Sequence, residues 1–435
     1  MATVAANPPI NDSLSSPHAG ERVTWISLIL VIYGMGIPVV AAQLPGIGAI
    51  GAADFLMPFG VLALLLMRRK APLQVSHLAL MAFMFAALLS LTMIPSPSLA
   101  LACGLRWLRL ISIVVTFYFG LFILPKNEHL NQVLWNFGVG GLIAAIVGIV
   151  IYNMQMEIRV GQQRLWTEEG SYLRAGGLIG NSGAFGHLLA TWCVVSVGAL
   201  VHVARFRYRH GVAIGIFAVA IGTIYVASSR AAMLHLITAF TTMLLVSKAS
   251  RSFRKHLVVV GALGVLAIVL LSCLSQVFKS DEKPSKSSAS LARFIPGLNG
   301  GDLNEFTSNR ADNWPEFVKM ISKSWLLGTG YKTGVRMHEE SPDNSYLSVM
   351  LETGGIGFTC MSLFVISLLY RLMVLYAAGD AYATLMLPAC VGQLTHCLTS
   401  DVYTFWLTMP IVYLLLGMII QRSALPRPSV ATLNA

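Results

Sequence analysis

The sequence predicts an all-α polytopic membrane protein with about twelve transmembrane helices and one large outer-face loop carrying an amphipathic helix. Three observations lead there. Hydrophobic residues make up 56% of the 435-residue chain and charged residues only 11%, where soluble domains run at roughly 25% charged. The mean hydropathy is +0.71. The apolar residues also fall into runs of about 20, the length a helix needs to cross a bilayer. This composition excludes a soluble globular enzyme, a disordered chain and a DNA-binding domain. The net charge of +11 therefore points to anionic lipid or an anionic substrate rather than nucleic acid.

In chain order, residues 1–23 are polar and read as a disordered cytoplasmic tail. They lack the basic n-region of a signal peptide, so the first apolar segment reads as an uncleaved anchor. Spans are expected over 24–41, 50–67, 75–95, 105–124, 130–152, 180–202, 211–228, 231–247 and 257–277, which places helices 1–9 in 24–277. A large loop follows at 278–345, then spans over 346–370, 382–399 and 405–421, then a tail at 422–435. Segments seven and eight are divided only by Ser228-Ser229-Arg230, which implies a tight hairpin. No internal repeat of 20–50 residues is visible, nor the paired broken segments of many transporters. The six cysteines (Cys103, Cys193, Cys273, Cys360, Cys390, Cys397) form no CxxC pair, so neither a zinc framework nor a disulfide scaffold is indicated.

Orientation follows from the short loops, because cytoplasmic loops are enriched in Lys and Arg. Alternate loops and both tails carry Arg22, Arg68, Arg69, Lys70, Lys126, Arg205, Arg207, Arg209, Lys248, Arg251, Arg254, Lys255, Arg371, Arg422 and Arg427, half of the 30 basic residues. Both termini are accordingly expected in the cytoplasm. Against the same bias, two outer loops are basic: the third (153–179) holds Arg159, Arg164 and Arg174, and the fifth (278–345) holds nine Lys and Arg. Charge placed there asks for an anionic partner.

The fifth loop opens with a low-complexity stretch, KSDEKPSKSSAS, and changes character at Asn309. Trp314, Phe317, Val318, Ile321 and Trp325 recur at helical spacing, with Asp312 and Asn313 ahead and Pro315 in the first turn. An amphipathic helix on the outer membrane surface is expected, ending at the Gly328-Thr329-Gly330 turn. A dense polar cluster follows, from Tyr331 and Lys332 through Arg336, His338, Glu339 and Glu340 to Asp343 and Asn344.

At these residues the chain resembles the O-antigen ligases and the related polymerases of lipid-linked polysaccharide repeat units. The family signature is His-Asn, nine residues, then Gly-x-x-Gly as a membrane helix begins, preceded by an Arg-x-x-x-Trp helix and a Gly-x-Gly turn. Here Asp343-Asn344 is followed by nine residues and Gly354-Gly-Ile-Gly357, with Arg310-Ala-Asp-Asn-Trp314 and Gly328-Thr-Gly330 upstream. Only the histidine is replaced. Arg174-Ala-Gly-Gly-Leu-Ile-Gly-Asn181 entering segment six and Ser229-Arg230 opening segment eight are similar to the family as well, so the resemblance covers roughly 150–375.

The resemblance implies a GT-C-like enzyme of the bacterial inner membrane. It implies as donor a sugar chain on undecaprenyl diphosphate, presented at the periplasmic face. Charge would build on phosphate oxygens as the glycosidic bond breaks, and guanidinium groups suit that because they stay charged and bind phosphate bidentately. Arg174, Arg230 and Arg310 match family positions for this role, with Lys332 and Arg336 secondary. The competing reading of each is an arginine snorkelling to lipid phosphate. The acceptor hydroxyl needs a base at the moment of attack. Asp343 stands at the family's histidine position, and a carboxylate can do that work. Against it stands a helix N-cap formed by Asp-Asn, and His338, Glu339 or Glu340 are other candidate bases.

Asn344 and Tyr346 are candidate sugar contacts, and Arg106 and Arg109 in segment four are candidates for a lipid-diphosphate groove or for snorkelling. His187, His235 and His396 lie singly in spans and read as buried structural histidines. No DxD pair or His/Cys spacing suggests a metal, and no cofactor is expected. The favoured function is an exopolysaccharide or O-antigen-type polymerase, conceivably xanthan-like, served by a chain-length regulator and export machinery and embedded in membrane lipid. The alternatives are ligase-type transfer to another acceptor, a polysaccharide or lipid-linked-sugar transporter, and a non-catalytic scaffold.

Overall fold

A computed structural model describes residues 40–44, 48–51, 74–122, 127–154, 159–160, 163–164, 167–169, 172–179, 181–246, 310–333, 342–402 and 409–422. Ten helices stand among them: α1 Val75–Ser90, α2 Pro97–Phe122, α3 Asn127–Asn153, α4 Ser182–His202, α5 Arg209–Val226, α6 Arg230–Val246, α7 Arg310–Lys323, α8 Ser345–Ala377, α9 Ala381–Cys397 and α10 Met409–Arg422. Six of the described helices are long and apolar enough to cross a membrane, and Arg230–Val246 and Met409–Gln421 are shorter apolar helices. The chain is a multi-pass membrane protein. The tails 1–23 and 423–435, residues 24–39 and 52–67 of the first two expected spans, all of 257–277 and the low-complexity start of the large loop lie outside the described residues.

Three short antiparallel ladders depart from the expected all-helical plan: β1 Val40–Leu44 with β2 Gly48–Gly51, β3 Arg159–Val160 with β4 Gln163–Arg164, and β5 Thr167–Glu169 with β6 Tyr172–Arg174. The first takes in the predicted ends of spans one and two, where Pro45, Gly46 and Gly48 are poor helix formers. The other two fold the basic third loop into hairpins and deliver Arg174 to the start of α4.

At the centre is α4, buried along nearly its whole length. Its Trp192 is fully buried and donates its indole N–H to the Gly138 carbonyl of α3 at 2.8 Å. α6 and α9 pack against α4 and each other, while α1 packs along α8 and α2 along α10. The outward faces of α1 (Leu78, Met81, Phe85) and α8 (Leu363, Ile366, Met373) remain exposed, as helices facing lipid require.

Two boundaries differ from expectation. α2 begins at Pro97, eight residues before the predicted 105, so Arg106 and Arg109 sit inside the helix rather than at its mouth. α7 begins at Arg310, so Pro315 lies inside it instead of in the first turn. Nor does α7 lie free on a surface: Phe317 and Ile321 are buried against Leu351 of α8, and the Trp314 indole N–H donates to the Pro342 carbonyl at 3.2 Å.

Candidate functional site

The helix α8 spans 33 residues but is broken at Gly354, which has φ 65 and ψ −170. A break in an apolar helix strands the last carbonyls of the upper arm and the first amides of the lower one. The turn after α7 satisfies both. Thr329 N donates to Leu351 O at 2.7 Å and Gly330 N to Glu352 O at 3.2 Å, while Gly355 N donates to Trp325 O at 2.6 Å and Ile356 N to Leu326 O at 3.3 Å. No side chain fits in this joint: a Cβ on Gly354 would lie 2.3 Å from the Leu326 carbonyl, and one on Gly328 2.5 Å from the Glu352 carbonyl carbon. The Gly-x-Gly and Gly-x-x-Gly motifs are thus the two halves of one backbone junction.

The joint carries Lys332 into the protein. With φ 59, it places its ammonium 2.9 Å from Asp401 Oδ2 and 3.9 Å from Glu352 Oε2. Burial alone would depress this lysine, but the two carboxylates outweigh it and hold the ammonium above the ordinary lysine value. The adjacent Tyr331 is fully buried and its N–H donates to Ser90 Oγ at 3.0 Å, tying the turn to α1. Burial pushes its phenol up, against the opposing field of Lys332, with a smaller one from Arg106. Arg106 therefore faces this cluster from α2; Arg109, one turn on, is half-buried.

Asp343 is half-buried with φ 47, the left-handed region that Asp tolerates better than most residues. The N-cap of α8 is its neighbour. Asn344 Oδ1 accepts from Tyr346 N at 3.0 Å and Leu347 N at 3.1 Å, and Asn344 Nδ2 donates to Leu398 O at 3.0 Å. Ser345 Oγ donates to Ser400 O at 2.8 Å and accepts from Val402 N at 2.9 Å. Capping thus falls to Asn344 and not to Asp343. Tyr346 donates its hydroxyl to Leu394 O at 2.9 Å. Beside it a cavity of about 320 Å³ runs between α8 and the end of α9, lined mostly by apolar side chains such as Val349, Phe358 and Leu394.

Arg174 reaches the turn that leads into Arg230. The Arg174 guanidinium donates to the carbonyls of Ala227 and Ser228, each at 3.4 Å, and Ala175 N donates to Val226 O at 2.9 Å. Those carbonyls belong to the tight α5–α6 turn, whose Ser228 has φ 50 and whose next residues, Ser229 and Arg230, open α6. Arg310 opens α7; its side chain, and all of Arg336, His338, Glu339 and Glu340, lie outside the described residues.

Two parts of this region were invisible to sequence reasoning. Glu352 and Asp401 were not singled out, although a carboxylate within an apolar helix is a signal in itself. His187, His235 and His396, read singly, come together: one ring nitrogen of each lies within 4.8 Å of the others.

Residues 215–362 match the family model described as O-Antigen ligase. The match ends just past Gly357, so it takes in the α5–α6 turn, α7 and the backbone junction. Over these residues the chain is similar to the O-antigen ligase family. No curated protein matches the chain. The junction, Lys332, Asp343 and Arg230 all fall within the matched residues, and Arg174 reaches the matched turn from outside. The family supports membrane glycan transfer of the ligase or polymerase type.

Proposed function

We propose that the protein is an inner-membrane polysaccharide polymerase that joins undecaprenyl-diphosphate-linked oligosaccharides at the periplasmic face. What supports this reading is that Arg230, Lys332 and Asp343 fall in the stretch similar to O-antigen ligases, that Arg174 binds the turn leading into Arg230, and that a largely apolar cavity lies between α8 and α9. A hydroxyl of one lipid-linked repeat attacks the anomeric carbon of the other chain. Asp343 takes the hydroxyl proton, the bond to the diphosphate oxygen breaks with inversion, and undecaprenyl diphosphate leaves. Arg230 and Arg310 stabilise the charge that grows on the leaving phosphate, each contributing on the order of 3 kcal/mol by analogy with oxyanion-hole donors. Arg174 holds the turn that presents Arg230. Lys332 has carboxylate partners already and serves to fix the junction beneath the site.

A carboxylate where ligases carry histidine, together with two basic outer loops, favours polymerisation over transfer to a different acceptor. The test is polymer formation in a deletion strain carrying Arg230→Ala, Arg310→Ala or Asp343→Ala at matched protein levels. Loss of long chains with accumulation of single lipid-linked repeats is expected. Normal polymer from all three variants would overturn the assignment, and damage confined to substitutions near the bilayer midplane would favour a transporter.

A further inference from the structure

His187 on α4, His235 on α6 and His396 on α9 are each fully buried. Their ring centroids are 4.6 Å (His187–His396), 5.7 Å (His235–His396) and 6.1 Å (His187–His235) apart. His187 and His235 each lie five residues from the start of their helices, about 8 Å at 1.5 Å per residue, and His396 is one residue from the end of α9. The three therefore form one layer near the N-terminus of α8, where Asn344 and Tyr346 grip the end of α9.

Two observations go beyond proximity. Both ring nitrogens of His235 are buried without a hydrogen-bond partner among the described residues. A neutral imidazole left so loses about 1–3 kcal/mol per unsatisfied group, unless something else occupies its lone pair. Next to it the protein has made room: a Cβ on Gly392 would lie 2.3 Å from His235 Cδ2 and 2.7 Å from Nε2, so only glycine allows the ring its place. Second, His187 Nε2 is bonded to Gln393 Oε1 at 2.7 Å, and Gln393 Nε2 in turn contacts Met409 Sδ at 3.4 Å. An oriented carbonyl holding one ring nitrogen is the support that metal-bound imidazoles ordinarily have.

We propose that these histidines bind a single zinc-class transition-metal ion that ties α4, α6 and α9 together. Imidazole is a ligand such ions accept readily. Zn–N bonds of about 2.0–2.1 Å put tetrahedral ligand nitrogens about 3.4 Å apart. From a triangle with sides of at most 4.8 Å, each nitrogen needs to move inward by less than about 1 Å, within reach of ring rotation. The ion holds helices; it takes no part in the glycosyl transfer.

The test uses the full untagged chain in detergent, stripped with chelator and titrated with Zn²⁺ alone or with Co²⁺ alone. One equivalent is expected to bind, with Co²⁺ giving the intense visible absorption of a tetrahedral site. His235→Ala should lose that equivalent, and Gln393→Ala should weaken binding about 10–100-fold. Gly392→Ala removes no ligand yet should weaken binding too, by displacing the His235 ring. A wild-type chain that binds no equivalent, or binds it as well after His235→Ala, overturns the proposal. Should His235→Ala fail to fold, the wild-type Co²⁺ spectrum and Gln393→Ala decide. Metal content is read directly, so this outcome stands apart from whether the chain polymerises sugars.

Discussion

Lys332 shows how a residue nominated for one role is held by another. Its charge suits a phosphate, yet its partners Glu352 and Asp401 lie far along the chain, and no local pattern reveals them. Lys332→Met should cost about 3 kcal/mol, because it strands two largely buried carboxylates, measured as thermal unfolding in detergent. The pH dependence has a defined sign. The folded pKa lies above the unfolded value of about 10.4, so the stabilisation is complete below that value and disappears as pH rises through the folded one. The wild-type protein should lose stability there, and Lys332→Met should not show that loss. Asn344 separates in the same way. Asn344→Asp keeps the cap but loses the bond to Leu398 O, at about 1 kcal/mol, whereas Asn344→Ala loses both, at about 2 kcal/mol. Equal losses from the two would mean that the strut contributes nothing.

At the scale of elements, the long described helices were legible because their residues are apolar over spans of about 20, and hydropathy reads that directly. Boundaries set by other forces were not. α2 extends back to Pro97 and α7 starts ahead of Pro315, since neither end is marked by a change in hydropathy. The junction was legible only as motifs: glycines at fixed spacing signal a close approach without saying what approaches. Gly354→Ala should be severe, costing about 1–3 kcal/mol for an alanine in a backbone region that essentially only glycine adopts, before the clash with Leu326, and should raise hydrogen exchange at the amides of Thr329 and Gly330. Gly357→Ala meets only the Thr353 side chain, which can turn aside, and should cost less. Matching losses at the two positions would remove the junction from this account.

For the whole molecule, the sequence carried the membrane class and the described apolar helices, whereas the histidine layer depends on three helices meeting and has no trace in one dimension. Sidedness can be tested directly. Cysteines introduced at exposed Lys319 on α7 and exposed Arg207 between α4 and α5 should differ toward a membrane-impermeant maleimide in intact cells with a permeabilised outer membrane. The first should label and the second should not; the reverse would invert the topology. Asp343→His restores the family's histidine at a left-handed position that histidine also tolerates. Polymer formation should persist, with the acid limb of its pH profile moving to higher pH, because an imidazolium is a weaker acid than a carboxylic acid. A folded but inactive variant would remove Asp343 from the role of base.

The backbone junction at Gly354 has a consequence for how such a protein diversifies. Its four closing hydrogen bonds are all made by main-chain atoms, so beyond its glycines the joint asks little of the side chains that stand further from it. Residues facing a sugar can be exchanged one at a time without unseating the helix that presents them. A catalytic frame can thereby pass from one glycan to another while its architecture stays fixed.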